Sequence, residues 1–173
     1  MARCFMVHAR SPRATVGWIE GDGIRFHCAL GRGGRRASKR EGDGATPIGV
    51  WPVRAIHYRA DRLRRPFTHV PVRPIRPDDG WCDAAADRNY NRRVRYPYSA
   101  SAEEMWRADP LYDLVVELGY NDRPRRRGFG SAIFMHVARP GYLPTAGCIA
   151  LERAHLLRLV ALLRPCSVIR VRG

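Results

Sequence analysis

Ile133-Phe-Met-His136 and Pro144-Thr-Ala-Gly-Cys148-Ile-Ala-Leu151 are two short apolar runs joined by a loop that contains Pro140 and Gly141. Apolar runs of this length, bounded by turn residues, read as strands. One ends on a histidine, and the other carries a cysteine directly before Ile149-Ala-Leu151, 12 positions on (148 − 136). A thiol is a weak nucleophile until its proton leaves. An imidazole can take that proton and later return it to a departing amine. Gly147 has no side chain, so backbone N–H groups beside Cys148 can approach a developing oxyanion closely. The candidate catalytic set is therefore Cys148, His136 and Gly147. Each residue also has a plain packing role open to it, since a free cysteine in a strand is usually core. It is their combination within 13 residues that points to chemistry.

Two further blocks flank this pair. Lys39-Arg-Glu-Gly-Asp-Gly-Ala-Thr-Pro-Ile-Gly49 is turn chemistry through Asp43-Gly44 and Pro47-x-Gly49, and it leads into a strand. Leu111-Tyr-Asp-Leu-Val-Val-Glu-Leu-Gly-Tyr-Asn-Asp122 reads as a strand running into a polar turn. Over about residues 4 to 172 the chain resembles the YkuD-type L,D-transpeptidases, which pair an upstream strand histidine with a downstream Ser/Thr-His-Gly-Cys block. His136, Thr145, Gly147 and Cys148 match that pattern. Ala146 stands where the family carries a second histidine, Ala150 where it carries a polar or basic residue, and the His-to-Cys spacing is shorter than usual, as with a trimmed loop over the site.

The resemblance implies a mainly β fold with minor α, a YkuD-like β-sandwich with a C-terminal helix packed on the sheet. It implies a cysteine enzyme acting on peptidoglycan stem peptides. Cys148 forms a thioester and His136 serves as base. The amine of a second stem then takes the acyl group, with no metal or organic cofactor. Thr145 belongs to the implied substrate-binding set. Compact proteobacterial members form cross-links through the first stem residue (1,3 cross-links), and the small size and the Thr-Ala-Gly-Cys block are similar to that branch. Resolution of the thioester by water, giving a carboxypeptidase, endopeptidase or amidase, stays open at this point.

At 173 residues the expectation is one domain, residues 1–173, with chain enough for a real core. No run approaches the ~20 apolar residues of a membrane span. Residues 1–8 read as a first strand rather than a secretory segment. The implied substrate places the protein in the periplasm or cell wall, and the reading of residues 1–8 makes the cytoplasm the alternative. The net charge of +15 favours acidic partners, and nearly every cation is arginine, with Lys39 the one lysine. A pI near 10.9 raises nucleic-acid binding as a non-enzymatic alternative. No recognition motif accompanies the charge, so no nucleic-acid partner is expected, and the protein is expected to be a monomer. Five cysteines show no CxxC spacing, so no metal is expected. Cys28 and Cys166 read as core, and Cys82, in a loop, is the one rival nucleophile.

Strands are expected at residues 3–9, 15–20, 24–30, 48–57, 68–72, 111–119, 131–138 and 167–171. Apolar spacing at 156, 157, 160 and 163 predicts a helix over 154–163. Ser101-Ala-Glu-Glu104 has capping-box spacing and predicts a short helix through Trp106. Residues 74–100 read as a long irregular excursion. Its Trp81, with Asp83 and Asn89 to Asn91, is a candidate for substrate contact. So are Asn121, Asp122, Arg139 and Tyr142, which flank strands leading to the site. The backbone carbonyl of Val137 or a nearby polar group is a candidate to orient His136.

Overall fold

The computed structural model describes residues 3–173. Three antiparallel strands open the chain: β1 (Cys4–His8), β2 (Val16–Gly21) and β3 (Ile24–Ala29). Their alternation is the period-2 pattern of a half-buried sheet. Phe5 and Val7 of β1, Ile19 of β2 and Ile24, Phe26 and Cys28 of β3 all point into one core. The short parallel pair β4 (Arg35–Arg36) and β5 (Thr46–Pro47) brackets the glycine-rich block. The ten-residue β6 (Gly49–Tyr58) follows, and then β7 (Val72–Pro74), which pairs with it in parallel. β7 replaces the strand expected at 68–72, which starts only where the run of loop residues ends.

Residues 74–100 are not irregular throughout. They contain β8 (Asp79–Cys82) and β9 (Arg93–Arg95), and with β10 (Ala102–Glu104) these form a separate antiparallel sheet in the order β10-β8-β9. The helix expected from the capping box at 101–104 is therefore strand β10. Ala102, Glu103 and Glu104 pair with Cys82, Trp81 and Gly80, and the Met105 N–H donates to the Asp79 carbonyl. A capping box needs an amphipathic run behind it, and here Pro110 cuts the run short. The ladder offered by β8, distant in sequence, decides the conformation.

A short 3-10 turn (Pro110–Tyr112), capped by the Asp109 side chain, leads into β11 (Leu114–Leu118). β12 (Phe134–Val137), β13 (Ile149–Leu151), α1 (Arg153–Leu162) and β14 (Val168–Val171) complete the chain. The main sheet runs β11-β12-β13-β3-β2-β1-β14-β6-β7, and β6 also pairs with β11. Its leaves are thus continuous through the long β6 and fold over one apolar core. Among the described residues the fold is mostly strands with a single α-helix, as expected. Leu156, Leu159 and Val160 of α1 and Leu163 just beyond it are buried in that core, and the helix packs against β11 and β12. Removing one such leucine side chain costs about 2–5 kcal/mol. Among the described residues no helix is long and apolar enough to cross a membrane.

The two faces of β12 and β13 do different work. Met135, Val137, Ile149 and Leu151 enter the main core. Phe134, His136, Cys148 and Ala150 face the other way, towards the small sheet. There Trp81, Met105, Tyr112, Phe134 and Cys148 form a second apolar cluster. Trp81 and Tyr112 both meet the Phe134 ring edge-on, at 5.0 and 6.0 Å between centroids.

Candidate active site

β12 and β13 are adjacent and parallel, with Met135 opposite Ile149 and His136 opposite Ala150. This register sets Phe134 beside Cys148, so His136 is one same-face step further along. Thiol and imidazole therefore share a face on neighbouring strands. Both border one cavity of about 500 Å³, between the main sheet and the small one. The strand pair fixes the backbone, and the small sheet roofs it.

The Cys148 thiol receives the Phe134 N–H at 3.4 Å and donates to the Ala132 carbonyl at 3.2 Å. His136 Nδ1 lies 2.9 Å from the Val137 carbonyl, one of the orienting groups left open by the sequence. A carbonyl only accepts, so Nδ1 carries the hydrogen and Nε2 keeps a free lone pair. The Tyr112 and His136 rings meet edge to face, with centroids 5.3 Å apart. Burial pushes the Cys148 thiol up to about 12, with the Glu103 charge adding to the rise and the Phe134 N–H and Lys39 opposing it. Burial also pulls His136 down to about 4, against the Val137 carbonyl and helped by Arg107 and Arg139. At rest the pair is neutral thiol and neutral imidazole.

The turn before Cys148 is braced from both sides. Thr145 Oγ1 donates to the Cys148 carbonyl at 2.6 Å and accepts the Gly147 N–H at 3.1 Å. Of the backbone N–H groups expected to face an oxyanion near Gly147 and Cys148, that of Gly147 is engaged within the turn. Gly147 contributes shape instead. Its φ of +132° is a region side chains rarely adopt, and a Cβ there would lie 2.8 Å from the Ala45 carbonyl. That carbonyl belongs to the glycine-rich block, which forms the floor. Thr46 Oγ1 reaches the Cys148 carbonyl at 3.5 Å and accepts the Gly31 N–H at 2.9 Å. Beneath Gly147 lies Lys39, buried, with Nζ 3.4 Å from where a Cβ on Gly147 would sit. Its ammonium donates to Asp43 Oδ1 at 2.7 Å.

Of the expected substrate contacts, Thr145 and Arg139 border the cavity. Tyr142 lies outside it, near His27. Asn121 braces the loop after β11 by bonding the Arg126 and Gly130 carbonyls. Asp122 pairs with Arg54 at 2.8 Å. The Trp81 indole N–H donates to Asn91, and Trp81 and Asp122 border a second cavity of about 310 Å³ beyond Ile133 and Phe134. Cys82 is buried in β8 rather than looped out, and Cys166 is exposed rather than core. Among the described residues no cluster of His, Cys, Asp and Glu is placed to hold a metal. Glu41, Glu103, Arg107 and Tyr112 border the cavity at Cys148 and His136 without having been singled out by sequence. For Glu103 the one local signal, the capping-box spacing, pointed to another role.

The strand histidine His136, the Thr145-x-Gly147-Cys148 turn and the Thr46-Pro47-x-Gly49 block all lie within the stretch that one family model matches. That model, YkuD, described as the L,D-transpeptidase catalytic domain, matches residues 5–171. The chain belongs to this family. Among solved structures, L,D-transpeptidase 1 of Mycobacterium tuberculosis is similar at 13% identity and a TM-score of 0.43, over 99% of this chain and 62% of the other. The chain thus spans less than two thirds of that protein's crystallised length. No curated protein matches it in sequence.

Proposed function

We propose that this YkuD-family protein is a peptidoglycan L,D-transpeptidase working through Cys148. The observation that carries the reading is the shared face. The buried thiol and a histidine with a free Nε2 border one cavity on adjacent strands. In the first half-reaction the sulfur attacks a stem-peptide carbonyl while His136 Nε2 takes the thiol proton. The C–N bond then breaks, and His136 returns the proton to the departing amine. The stem remains as a thioester on Cys148. In the second half the amine of another stem attacks, the C–S bond breaks and an amide cross-link forms. The carboxylates of the donor stem suit Arg32 and Arg139 at the cavity rim, since guanidinium groups hold carboxylates bidentately. Such a substrate places the protein at the cell wall, in the periplasm.

The test is mass spectrometry of stem peptides incubated with the protein. Wild type is expected to yield a cross-linked dimer and an acyl adduct on Cys148, and Cys148→Ala neither. The fragmentation pattern also reads which stem residue is joined, the first or the third. Cross-linking that survives Cys148→Ala defeats the proposal. Products of hydrolysis alone assign a hydrolase instead.

A further inference from the structure

Strand β10 carries Glu103 into the wall of the catalytic cavity, and the end of β8 brings Asp83 beside it. The chain has 31 lysines and arginines against 16 acids, so an acid without a basic neighbour is the exception. Among the described residues eleven carboxylates have a basic side chain within ion-pair distance. Of the remaining five, Glu41, Asp83 and Glu103 border this one cavity. Glu41 is engaged, since its Oε2 accepts the Tyr90 and Ser131 hydroxyls. Glu103 accepts the Tyr112 hydroxyl on Oε1. Asp83 Oδ1 is buried and has no hydrogen-bond partner in the protein. Arg107, whose charge acts on Glu103, is held by Asp109 at 2.6 Å. A buried carboxylate oxygen without a partner is destabilising, and a bound donor relieves it.

We infer that Asp83 and Glu103 form an ammonium subsite that receives the acceptor amine and favours transfer over hydrolysis. This rests on the transferase reading above. An amine arrives as R–NH3⁺ and cannot attack in that form. Its charge is met by the two carboxylates, and one proton passes to Glu103, whose burial holds it above the ordinary carboxylate range. The neutral nitrogen attacks the thioester carbonyl and a C–N bond forms. The C–S bond breaks, and the second amine proton travels through His136 Nε2 to the leaving sulfur. Thioester and ammonium become amide and thiol, with one proton on Glu103 that leaves to solvent. Water can donate a hydrogen bond to the same oxygens, but it brings no positive charge for the two carboxylates to meet.

The test uses the whole protein, a stem tetrapeptide as donor and a diaminopimelate-containing tripeptide as acceptor. Asp83→Asn with Glu103→Gln keeps shape and removes charge. Acylation of Cys148, read by intact mass, is expected within about threefold of wild type. The ratio of amide to hydrolysed product is expected to fall about tenfold or more, with a raised KM for acceptor, the worth of one charge-assisted hydrogen bond. Hydroxylamine, a neutral nucleophile, should resolve wild-type and variant acyl-enzymes equally. Glu104→Gln, on the exposed side of the same strand, should leave the ratio unchanged. Normal acylation with an unchanged ratio overturns the subsite. No acylation in wild type overturns the transferase reading itself. If the double variant melts early, the hydroxylamine-to-amine preference of Asp83→Asn alone decides, and a preference equal to wild type counts against the subsite.

Discussion

The resting state of Cys148 has a direct chemical consequence. Its thiol is held up at about 12 against an ordinary 9, mainly by burial. At pH 8 this leaves a thiolate fraction about a thousandfold smaller. Alkylation by iodoacetamide proceeds through the thiolate, so Cys148 should react about a thousandfold more slowly than a freely exposed thiol. Its rate should keep climbing beyond pH 10. Cys4 and Cys166 are exposed and serve as internal standards in the same sample, with each site followed by peptide mass mapping. His136→Ala should leave the slow rate nearly unchanged, because an imidazole held near 4 is already uncharged at neutral pH. The same substitution should cost about a hundredfold or more in acylation by a stem peptide, where proton transfer is required. If Cys148 instead alkylates first, with an inflection near neutrality that disappears in His136→Ala, a thiolate–imidazolium pair exists at rest. That result refutes the neutral-pair mechanism.

Three other outcomes follow from the geometry. The folded pKa of His136 lies below its ordinary 6.5, so the unfolded chain protonates first; its contribution is complete above about 6.5 and is lost as pH falls towards 4, up to about 3 kcal/mol. Denaturant melts at pH 7 and pH 4.5 should show His136→Gln losing less stability on acidification than wild type. Gly147→Ala puts a methyl 2.8 Å from the Ala45 carbonyl at a φ of +132° and should cost about 1–3 kcal/mol, with acylation falling further as the thiol is displaced; equal stability and activity would mean that the turn is not strained. Lys39→Met leaves Asp43 without its cation and should cost about 3 kcal/mol, and adding Asp43→Asn should recover most of it in the same denaturant assay.

What the sequence disclosed follows its range of interaction. The opening strands are legible because Phe5, Val7, Ile19, Ile24 and Phe26 alternate with outward residues, a local pattern. The helix is legible through Leu156 and Val160. Cys148 and His136 are legible because the crossover between β12 and β13 keeps them close in sequence. The small sheet was not legible, since each of its pairings is set by a partner elsewhere, and Ser101-Ala-Glu-Glu104 contains a valid local signal for the wrong element. Trp81 looked like a ligand platform for the same reason. Only the packed structure puts its ring against Phe134 and its N–H on Asn91. The single lysine among so many arginines was visible in the sequence, but its place under Gly147 depends on the fold of residues 39–49.

The acids of the small sheet and the thiol of the main sheet act on each other through the cavity. After burial, the Glu103 charge is the largest influence raising the Cys148 pKa, and Lys39 beneath the turn opposes it. In the second half-reaction the thiolate is the leaving group, so whatever disfavours the thiolate slows departure. An ammonium seated between Asp83 and Glu103 cancels that field as it binds, and water does not. Acceptor binding is thus coupled to the quality of the leaving group as well as to proximity. One substitution should therefore show two effects of opposite sign. Glu103→Gln removes the opposing charge in the free protein, so Cys148 should alkylate faster at pH 8 than in wild type. The same variant should transfer its acyl group to an amine more slowly, because the subsite is gone. A change of the same sign in both assays, read on one protein preparation by peptide mapping and product analysis, would show that Glu103 acts only by supporting the fold.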